Sequence, residues 1–382
     1  MTANKGLAKA AYIYENRDQW AKDLKAKGNK IAGYFCCYPP QEIMAAVGYI
    51  PFRVLGDPNE PITEADNYMP QNMCSFYRSC LDLAMKGRYD YLDAFVGCHA
   101  CDAAERVSHI WVSYIKYKCS FYLDIPHTTH KAAMEFFRKQ LGYMKGVFEE
   151  ASGKKIDNAL LNEKIELYNK QRRLVHQLHN LRKADPPPVS GTEVLQLMVA
   201  IMSTSAEEGN AMLEEAIEEI KARTPEKDKK KKRVLIWGSL TDNTDMIKLI
   251  EDCGLDVVMD DTGIGSRSYG HLDALTGDPL ADLADLYLDK QVCPRTFRET
   301  GRTRDEDLEN RFGYLSKFIK EWKIDGVIAN VVRNCDIHGY EIPEVKYYME
   351  KLVPVLVIER DYSSDALAPL RTRFQAFAES LE

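Results

Sequence analysis

Hydrophobic positions in the first third of the chain form short continuous runs, and stretches with helical spacing lie between them. Runs of this length that stop at turn residues are typical of buried strands, which predicts strands over 31–35, 50–55 and 92–96. The first and third of these runs end in turns that carry two cysteines each, and a helical pattern follows each turn. Alternating strands and helices build parallel sheets whose ligands bind beyond the carboxyl ends of the strands. The pattern therefore predicts an α/β fold with thiols at a strand-end site.

The pattern changes twice further along the chain. Residues 130–225 have helical spacing, and a lysine-rich run over 227–233 follows them. Because the chain is acidic, this run is interpreted as a solvated linker, with a nucleic-acid patch as the alternative. A second alternation of strands and helices begins at Val234, without the glycine fingerprint of a dinucleotide site. We expect an N-terminal α/β domain over 1–150, a helical segment with a basic linker over 151–232, and a C-terminal α/β domain over 233–382.

Charge and composition narrow the function classes. The net charge of −7 gives no support to nucleic-acid binding. No apolar run reaches the roughly 18 residues of a membrane span, and the N-terminus lacks the apolar core of a signal peptide. These features predict a cytoplasmic protein. Disulfides are rare in that compartment, so the ten cysteines indicate metal or redox chemistry, although Cys253 and Cys293 are interpreted as packing residues.

Three cysteines occupy comparable positions, each at a predicted helix start or strand-end turn. Cys74 and Cys101 belong to the first domain and Cys335 to the second. Two facing sheets would bring them together, and cysteine thiolates, normally four, hold a [4Fe–4S] cluster. Three thiolates would leave one iron for another ligand. Zinc stays open, and so does a metal-free dithiol of Cys98 and Cys101, the single C-x₂-C motif of this region.

Candidate proton donors are weaker signals. His338 is favoured because it follows Cys335 by three residues, and His99, His109 and His127 lie near other predicted strand ends or helix starts. Each of these histidines is equally compatible with a packed or solvated role.

The same residues carry a resemblance. The chain resembles the 2-hydroxyacyl-CoA dehydratase and benzoyl-CoA reductase subunit family over nearly its whole length. Its matching segments are GYFCCYPPQEI, NMCSFYRSCLDLAMKGRYDYLD, CDAAERVSHIW, NCDIHGYEIPEVKYYME and ERDYSSDALAPLRTRFQAFAE. The resemblance implies two Rossmann- or flavodoxin-like domains joined by a helical segment, with a [4Fe–4S] cluster in the cleft between the domains. Its ligands would be Cys74, Cys101 and Cys335, with residue 37 facing the fourth iron.

The resemblance also implies partners and chemistry. It implies a dimer with a homologous subunit, and a separate ATP-hydrolysing iron–sulfur activator that delivers single electrons at low potential. An acyl-CoA substrate would then lose water through a ketyl-type radical or undergo ring reduction. A non-catalytic relay subunit, whose cluster never meets substrate, is the alternative within this class.

The chain departs from the family pattern in its extra thiols. Position 37 is Cys37, next to Cys36, and Cys98 and Cys119 are also additional. These thiols could complete the ligation of one cluster, or they could hold a second one. A branch of the family, the double-cubane cluster proteins, consists of homodimers that reduce small molecules at an [8Fe–9S] cluster with electrons from an ATP-dependent activator. The candidate set for that alternative has six cysteines, which are Cys37, Cys74, Cys98, Cys101, Cys119 and Cys335.

Overall fold

The computed structural model describes residues 6–224, 231–270, 275–298 and 303–381. Two four-stranded parallel sheets organise it, with the strand orders β2-β1-β3-β4 and β6-β5-β7-β8. The strands are β1 Lys30–Tyr34, β2 Tyr49–Arg53, β3 Ala94–Cys98, β4 Cys119–Leu123, β5 Lys232–Gly238, β6 Leu255–Asp261, β7 Gly326–Val332 and β8 Val355–Arg360. The predicted fold class, two Rossmann-like α/β units, is confirmed.

Fourteen α-helices are seen in the described ranges, and most of them flank the sheets. They are α1 Gly6–Glu15, α2 Arg17–Ala26, α3 Gln41–Ala46, α4 Ser75–Met85, α5 Asp102–Tyr114, α6 Lys131–Ser152, α7 Asn158–Leu181, α8 Gly191–Ile201, α9 Ala206–Lys221, α10 Thr244–Asp252, α11 Pro279–Ala284, α12 Arg304–Glu321, α13 Asp336–Met349 and α14 Leu370–Ser380. No described helix is both long and apolar enough to cross a membrane.

Both sheets reverse their winding direction at one pair of strands. In the first sheet β1 lies between β2 and β3, and in the second β5 lies between β6 and β7. The chain leaves β1 in one direction and β3 in the other, which opens a crevice at the carboxyl ends of this pair. The cysteine turns that follow β1 and β3, and the turn that follows β7, all begin at these switch points.

The helical segment ties the N-terminus to the middle of the chain. Helix α1 precedes the first sheet but packs against α8 and α9, and α7 packs against α3 and α9. A buried ion pair joins α3 to α7, because Arg172 Nη2 donates to Glu42 Oε1 at 2.6 Å. Lysines 227, 229 and 230 of the predicted linker lie outside the described residues, and the domain boundaries stay predictions.

Two element boundaries differ from the prediction. From the sequence alone, Pro343 suggests that a helix starts at about that residue, but the helix begins at Asp336 and Pro343 lies inside it. Proline is common at a first helical turn, which made it a misleading start signal here. Aspartate is a common N-cap, so Asp102 is the cap that the sequence suggests for α5, but the N-cap is Cys101, whose Sγ accepts a hydrogen bond from the Ala104 N–H at 3.4 Å. Both corrections move a cysteine to the N-terminus of a helix.

Candidate functional site

A cavity of about 90 Å³ is lined by residues of both α/β units. Thiols are its most distinctive feature, since six of the ten cysteines of the chain line it: Cys36, Cys37, Cys74, Cys101, Cys293 and Cys335. They come from five separate places in the sequence. The topology therefore brings distant thiols to one location, as the strand-end pattern predicts.

Three of these cysteines begin helices. Cys74 is the N-cap of α4, Cys101 of α5 and Cys335 of α13. The N-terminus of a helix carries free N–H groups and the positive end of the helix dipole, so it stabilises an adjacent thiolate. Three such termini meet at this cavity, and the local field therefore favours negative charge on these sulfurs.

Burial opposes the ionisation of the same three thiols as long as no metal is bound to them. Burial first, and then the charge of Cys335, raises the pKa of Cys74 to about 12. Burial and the charge of Cys74 raise the pKa of Cys101 well above its usual value, and burial also raises the pKa of Cys335. The charge of Cys335 raises the pKa of both Cys74 and Cys101, so these sulfurs share one electrostatic environment. A bound metal removes this conflict, because coordination deprotonates a thiol outright.

Three further thiols, Cys36, Cys37 and Cys293, line the same cavity. Cys36 has a positive φ of 59°, and its Sγ lies 3.8 Å from Cys37 Sγ. Hydrogen bonds from Cys37 and Cys98 lower the pKa of Cys36, and the resulting thiolate together with burial raises the pKa of Cys37. The charge of Cys293 also raises the pKa of Cys37.

Three buried arginines complete the lining. Arg53 donates to the carbonyl oxygen of Cys36. Arg295 donates to the carbonyl oxygens of His99, Ile125 and Pro126. Within the described residues neither of these two guanidinium groups has a carboxylate partner, whereas Arg267 pairs with Asp261 at 3.0 Å. A buried charge without a counter-ion is strongly unfavourable. The cavity is therefore suited to an anionic occupant or to ionised thiols.

His338 connects this positive lining to one sulfur. Its Nδ1 lies 3.4 Å from Cys335 Sγ, and its Nε2 lies 2.9 Å from Arg267 Nη1. Burial first, and then the charge of Arg267, lowers the pKa of His338 well below its usual value. The imidazole is therefore neutral near pH 7.

The cysteines predicted for the double cubane are only partly assembled. Cys119 is the first residue of β4 and pairs with Ala94, whereas the site lies at the other end, where Cys98 pairs with Leu123. Four residues of a strand span roughly 13 Å, so the structure does not bring Cys119 to this cavity. Cys98 lies behind the cavity lining, where its Sγ donates to the Phe35 carbonyl oxygen at 3.5 Å.

The sequence interpretation missed two sets of lining residues. Cys293 was interpreted as a packing residue, yet it lines the cavity. One signal was available, because Pro294 and Arg295 follow it directly in a loop, much as Pro39 follows Cys37 closely. Arg53 and Arg295 left no signal, because their partners are backbone carbonyl oxygens that no local sequence pattern indicates.

Comparison with known proteins agrees with this architecture. The family model described as "2-hydroxyglutaryl-CoA dehydratase, D-component" matches residues 36–381, beginning at the first cysteine turn. The chain belongs to this family, which confirms the predicted family. It is 27% identical over 373 residues to the (R)-phenyllactyl-CoA dehydratase beta subunit of Clostridium sporogenes, covering 97% of this chain and 96% of that protein.

Two further relatives are equally extensive. One subunit of the benzoyl-CoA reductase of Thauera aromatica is 26% identical over 387 residues, covering 98% of each chain. The beta subunit of the (R)-2-hydroxyglutaryl-CoA dehydratase of Acidaminococcus fermentans is 25% identical over 362 residues, covering 94% of each. Dehydratase and reductase subunits are thus similar to this chain to nearly the same degree, and identity alone does not separate the two activities.

Proposed function

We propose that this chain is the iron–sulfur subunit of a low-potential acyl-CoA dehydratase or reductase, with a [4Fe–4S] cluster held by Cys74, Cys101 and Cys335. The observation that carries the proposal is the convergence of three helix N-caps, all cysteines, on one buried cavity. When bound, such a cluster accepts and donates single electrons at a potential that the protein environment sets.

The donor set fits this group better than the alternatives. Thiolates select soft metals and iron–sulfur clusters, whereas Mg²⁺ and Ca²⁺ require oxygen ligands. Among the described residues, no three His, Cys, Asp or Glu side chains are close enough together to bind one ion. A mononuclear zinc site needs that closeness, because all its ligands bind the same metal. The thiolates of a cubane bind different irons, so they do not need to be that close together.

Other residues of the cavity lining would balance the charge of the cluster and surround its fourth iron. The guanidinium groups of Arg53 and Arg295 lack carboxylate partners in the described chain and would balance the negative charge of the thiolate cluster. Cys37 lines the same cavity and would face the fourth iron, the one that none of the three capping cysteines binds. Burial keeps bulk water away from the centre, which protects a strongly reducing state.

The substrate class and the partners follow from the family. The relatives are named as dehydratase subunits for phenyllactyl-CoA, lactoyl-CoA and 2-hydroxyglutaryl-CoA, and as a subunit of a benzoyl-CoA reductase. An acyl-CoA thioester is their shared substrate class. Because each of these relatives is named as one subunit of a larger enzyme, we propose that the chain pairs with a homologous subunit and receives electrons from an ATP-dependent iron–sulfur activator.

Iron and acid-labile sulfide analysis of anaerobically purified protein tests the cluster. About four irons per chain support the proposal, and colourless protein without iron refutes it. Incubation with an ATP-driven activator and either benzoyl-CoA or a 2-hydroxyacyl-CoA then tests the activity. Ring reduction identifies a reductase and loss of water a dehydratase. A reducible cluster with no turnover of any acyl-CoA favours the relay role instead.

A second candidate function is favoured by one specific observation, which is that six cysteines line a single cavity. Three of them, Cys36, Cys37 and Cys293, are additional to the three capping cysteines. Two cubanes that share a bridging sulfide need six thiolates, so we propose a homodimeric double-cubane protein that reduces small molecules as the alternative. Cys36 and Cys293 replace Cys98 and Cys119 in its ligand set.

Replacement of Cys293 separates these two candidates. In a double-cubane protein, C293S should lower the iron content from about eight to about four per chain. In a single-cubane protein, C293S should leave about four irons and an unchanged electron paramagnetic resonance spectrum. Cys37→Ser tests the cavity further, because it changes the spectrum if Cys37 is a ligand and changes only substrate handling if Cys37 merely lines the pocket.

A further inference from the structure

The side chain of His338 is buried between two groups that fix both of its ring nitrogens. Arg267 Nη1 lies 2.9 Å from Nε2, and Cys335 Sγ lies 3.4 Å from Nδ1. The indole of Trp237 packs edge-on against the imidazole, with ring centroids 5.5 Å apart. The ring therefore has one well-defined orientation.

The neighbour at Nε2 decides where the ring carries its proton. A guanidinium group has only donors and stays protonated, so Arg267 must donate to Nε2. Nε2 is then the acceptor nitrogen, and the N–H group of the neutral ring is at Nδ1. That N–H points at Cys335 Sγ, which has lone pairs to accept it.

Arg267 is itself held firmly. Its Nε donates to Asp261 Oδ1 at 3.0 Å and its Nη2 to the Asp261 carbonyl oxygen at 2.6 Å. Tyr314 donates to the other carboxylate oxygen of Asp261 at 2.6 Å. The chain of contacts from Tyr314 to Cys335 contains a permanently charged arginine, so it is a rigid support and not a proton path.

We propose that Arg267 and His338 are positioning residues that hold one N–H donor on the sulfur of Cys335 and thereby raise the reduction potential of the cluster. This inference rests on the proposed function, because it assigns a role toward a cluster bound by that sulfur. Reduction adds negative charge to the cluster and its thiolates. An N–H···S hydrogen bond stabilises the reduced state more than the oxidised state.

This role differs from the catalytic proton donor expected from the sequence. Both ring nitrogens of His338 are already occupied, one by a donor and one by a sulfur acceptor. Transfer of the Nδ1 proton to a substrate would break the contact with Cys335 and leave the ring as an anion. The geometry therefore favours a fixed hydrogen bond over proton transfer.

A redox titration followed by electron paramagnetic resonance tests the proposal with the assembled protein. His338→Leu removes the donor at similar volume, and we expect the midpoint potential to become more negative while the iron content stays at the wild-type level. His338→Asn keeps an N–H near the position of Nδ1 and should restore part of the shift. His109→Leu, on the exposed face of α5, is the matched control and should leave the potential unchanged.

An unchanged potential in H338L at full iron content would overturn the inference while leaving the cluster itself intact. Absence of iron in the wild-type protein would instead refute the proposed function. If H338L fails to fold, pulsed resonance of wild-type protein labelled with ¹⁵N-histidine decides the question. A magnetic coupling from one histidine nitrogen to the cluster supports the hydrogen bond, and its absence overturns it.

Discussion

Gly97 in β3 lies so close to Ser108 in α5 that a Cβ atom at position 97 would stand 2.5 Å from the Ser108 Cβ. Ser108 Oγ accepts from the Cys98 N–H at 3.2 Å and donates to the Ala104 carbonyl oxygen at 2.6 Å. The same strand and helix carry the turn that holds Cys101. The close approach therefore sets the position of one thiol of the cavity.

Substitution of Gly97 by alanine should push α5 away from the sheet. Overpacking of this kind lowers the free energy of unfolding by about 1–3 kcal/mol. Because Cys101 moves with α5, we also expect a lower iron content per chain. Urea unfolding and iron analysis measure the two effects.

The matched control for G97A is Gly146→Ala on α6, where an added Cβ meets no atom within 4 Å. That change should raise the free energy of unfolding by about 0.5–1 kcal/mol, since alanine loses less backbone entropy than glycine. Equal stability and iron content in G97A and wild type would mean that α5 does not depend on this contact.

Replacement of the three capping cysteines tests which thiols hold the proposed cluster. Cys74→Ser, Cys101→Ser and Cys335→Ser should each lose most of the iron, because a serine oxygen is a poor ligand for an iron–sulfur cluster. Cys119→Ser is the control, since Cys119 is as buried as Cys74 but lies at the end of the first sheet remote from the cavity. Loss of iron in C119S comparable to that in the other three variants would contradict the assignment.

Strand positions were predictable because parallel strands are buried on both faces and read as continuous apolar runs. β3 is buried along its whole length, and it overlaps the apolar run over 92–96 that predicted it. The positions of the three capping cysteines were predictable for a related reason, since strand ends in such folds form the ligand crevice. The start of helix α13 was predicted incorrectly, at Pro343. The helix follows a turn at Asn334, which has a φ of 61°, and no residue near that turn is a stronger signal for a helix start than proline.

The rest of the site depends on contacts that no local pattern encodes. Arg295 reaches the carbonyl oxygens of His99 and Ile125, which are more than 150 residues away in sequence. Cys293 lies in a loop without periodicity, so its position against Cys37 emerges only when both α/β units are assembled. A single sequence therefore identifies thiols at strand ends but not the charged and loop residues around them.

The buried ion pair between α3 and α7 should be essential for stability. Glu42 is fully buried, and Arg172 and the Tyr287 hydroxyl both donate to its carboxylate. Arg172→Met leaves that carboxylate without a counter-charge, which should lower the free energy of unfolding by about 3–5 kcal/mol. Lys170→Met removes an exposed ion pair with Glu214 from the same helix and should cost less than about 1 kcal/mol. Similar losses in the two variants, measured by urea unfolding, would show that the buried pair has no special weight.

Stability should also depend on pH through His179, a buried histidine remote from the thiols. Burial lowers its pKa from 6.5 to about 4, while its Nδ1 accepts from Arg182 Nη1 at 3.1 Å. Between these pH values the unfolded chain binds a proton at this residue and the folded chain does not. Its contribution is therefore fully present above pH 6.5 and is lost as the pH falls toward 4.

The variant His179→Gln isolates this effect, because glutamine keeps a hydrogen-bonding side chain but does not titrate. From pH 7.5 to pH 5, the wild-type free energy of unfolding should fall by about 2 kcal/mol more than that of H179Q. Other histidines contribute equally to both proteins, so the difference between the two pH dependences reports on His179 alone. Parallel pH profiles would mean that His179 accepts a proton in the folded state as readily as in the unfolded state, which the burial of its ring opposes.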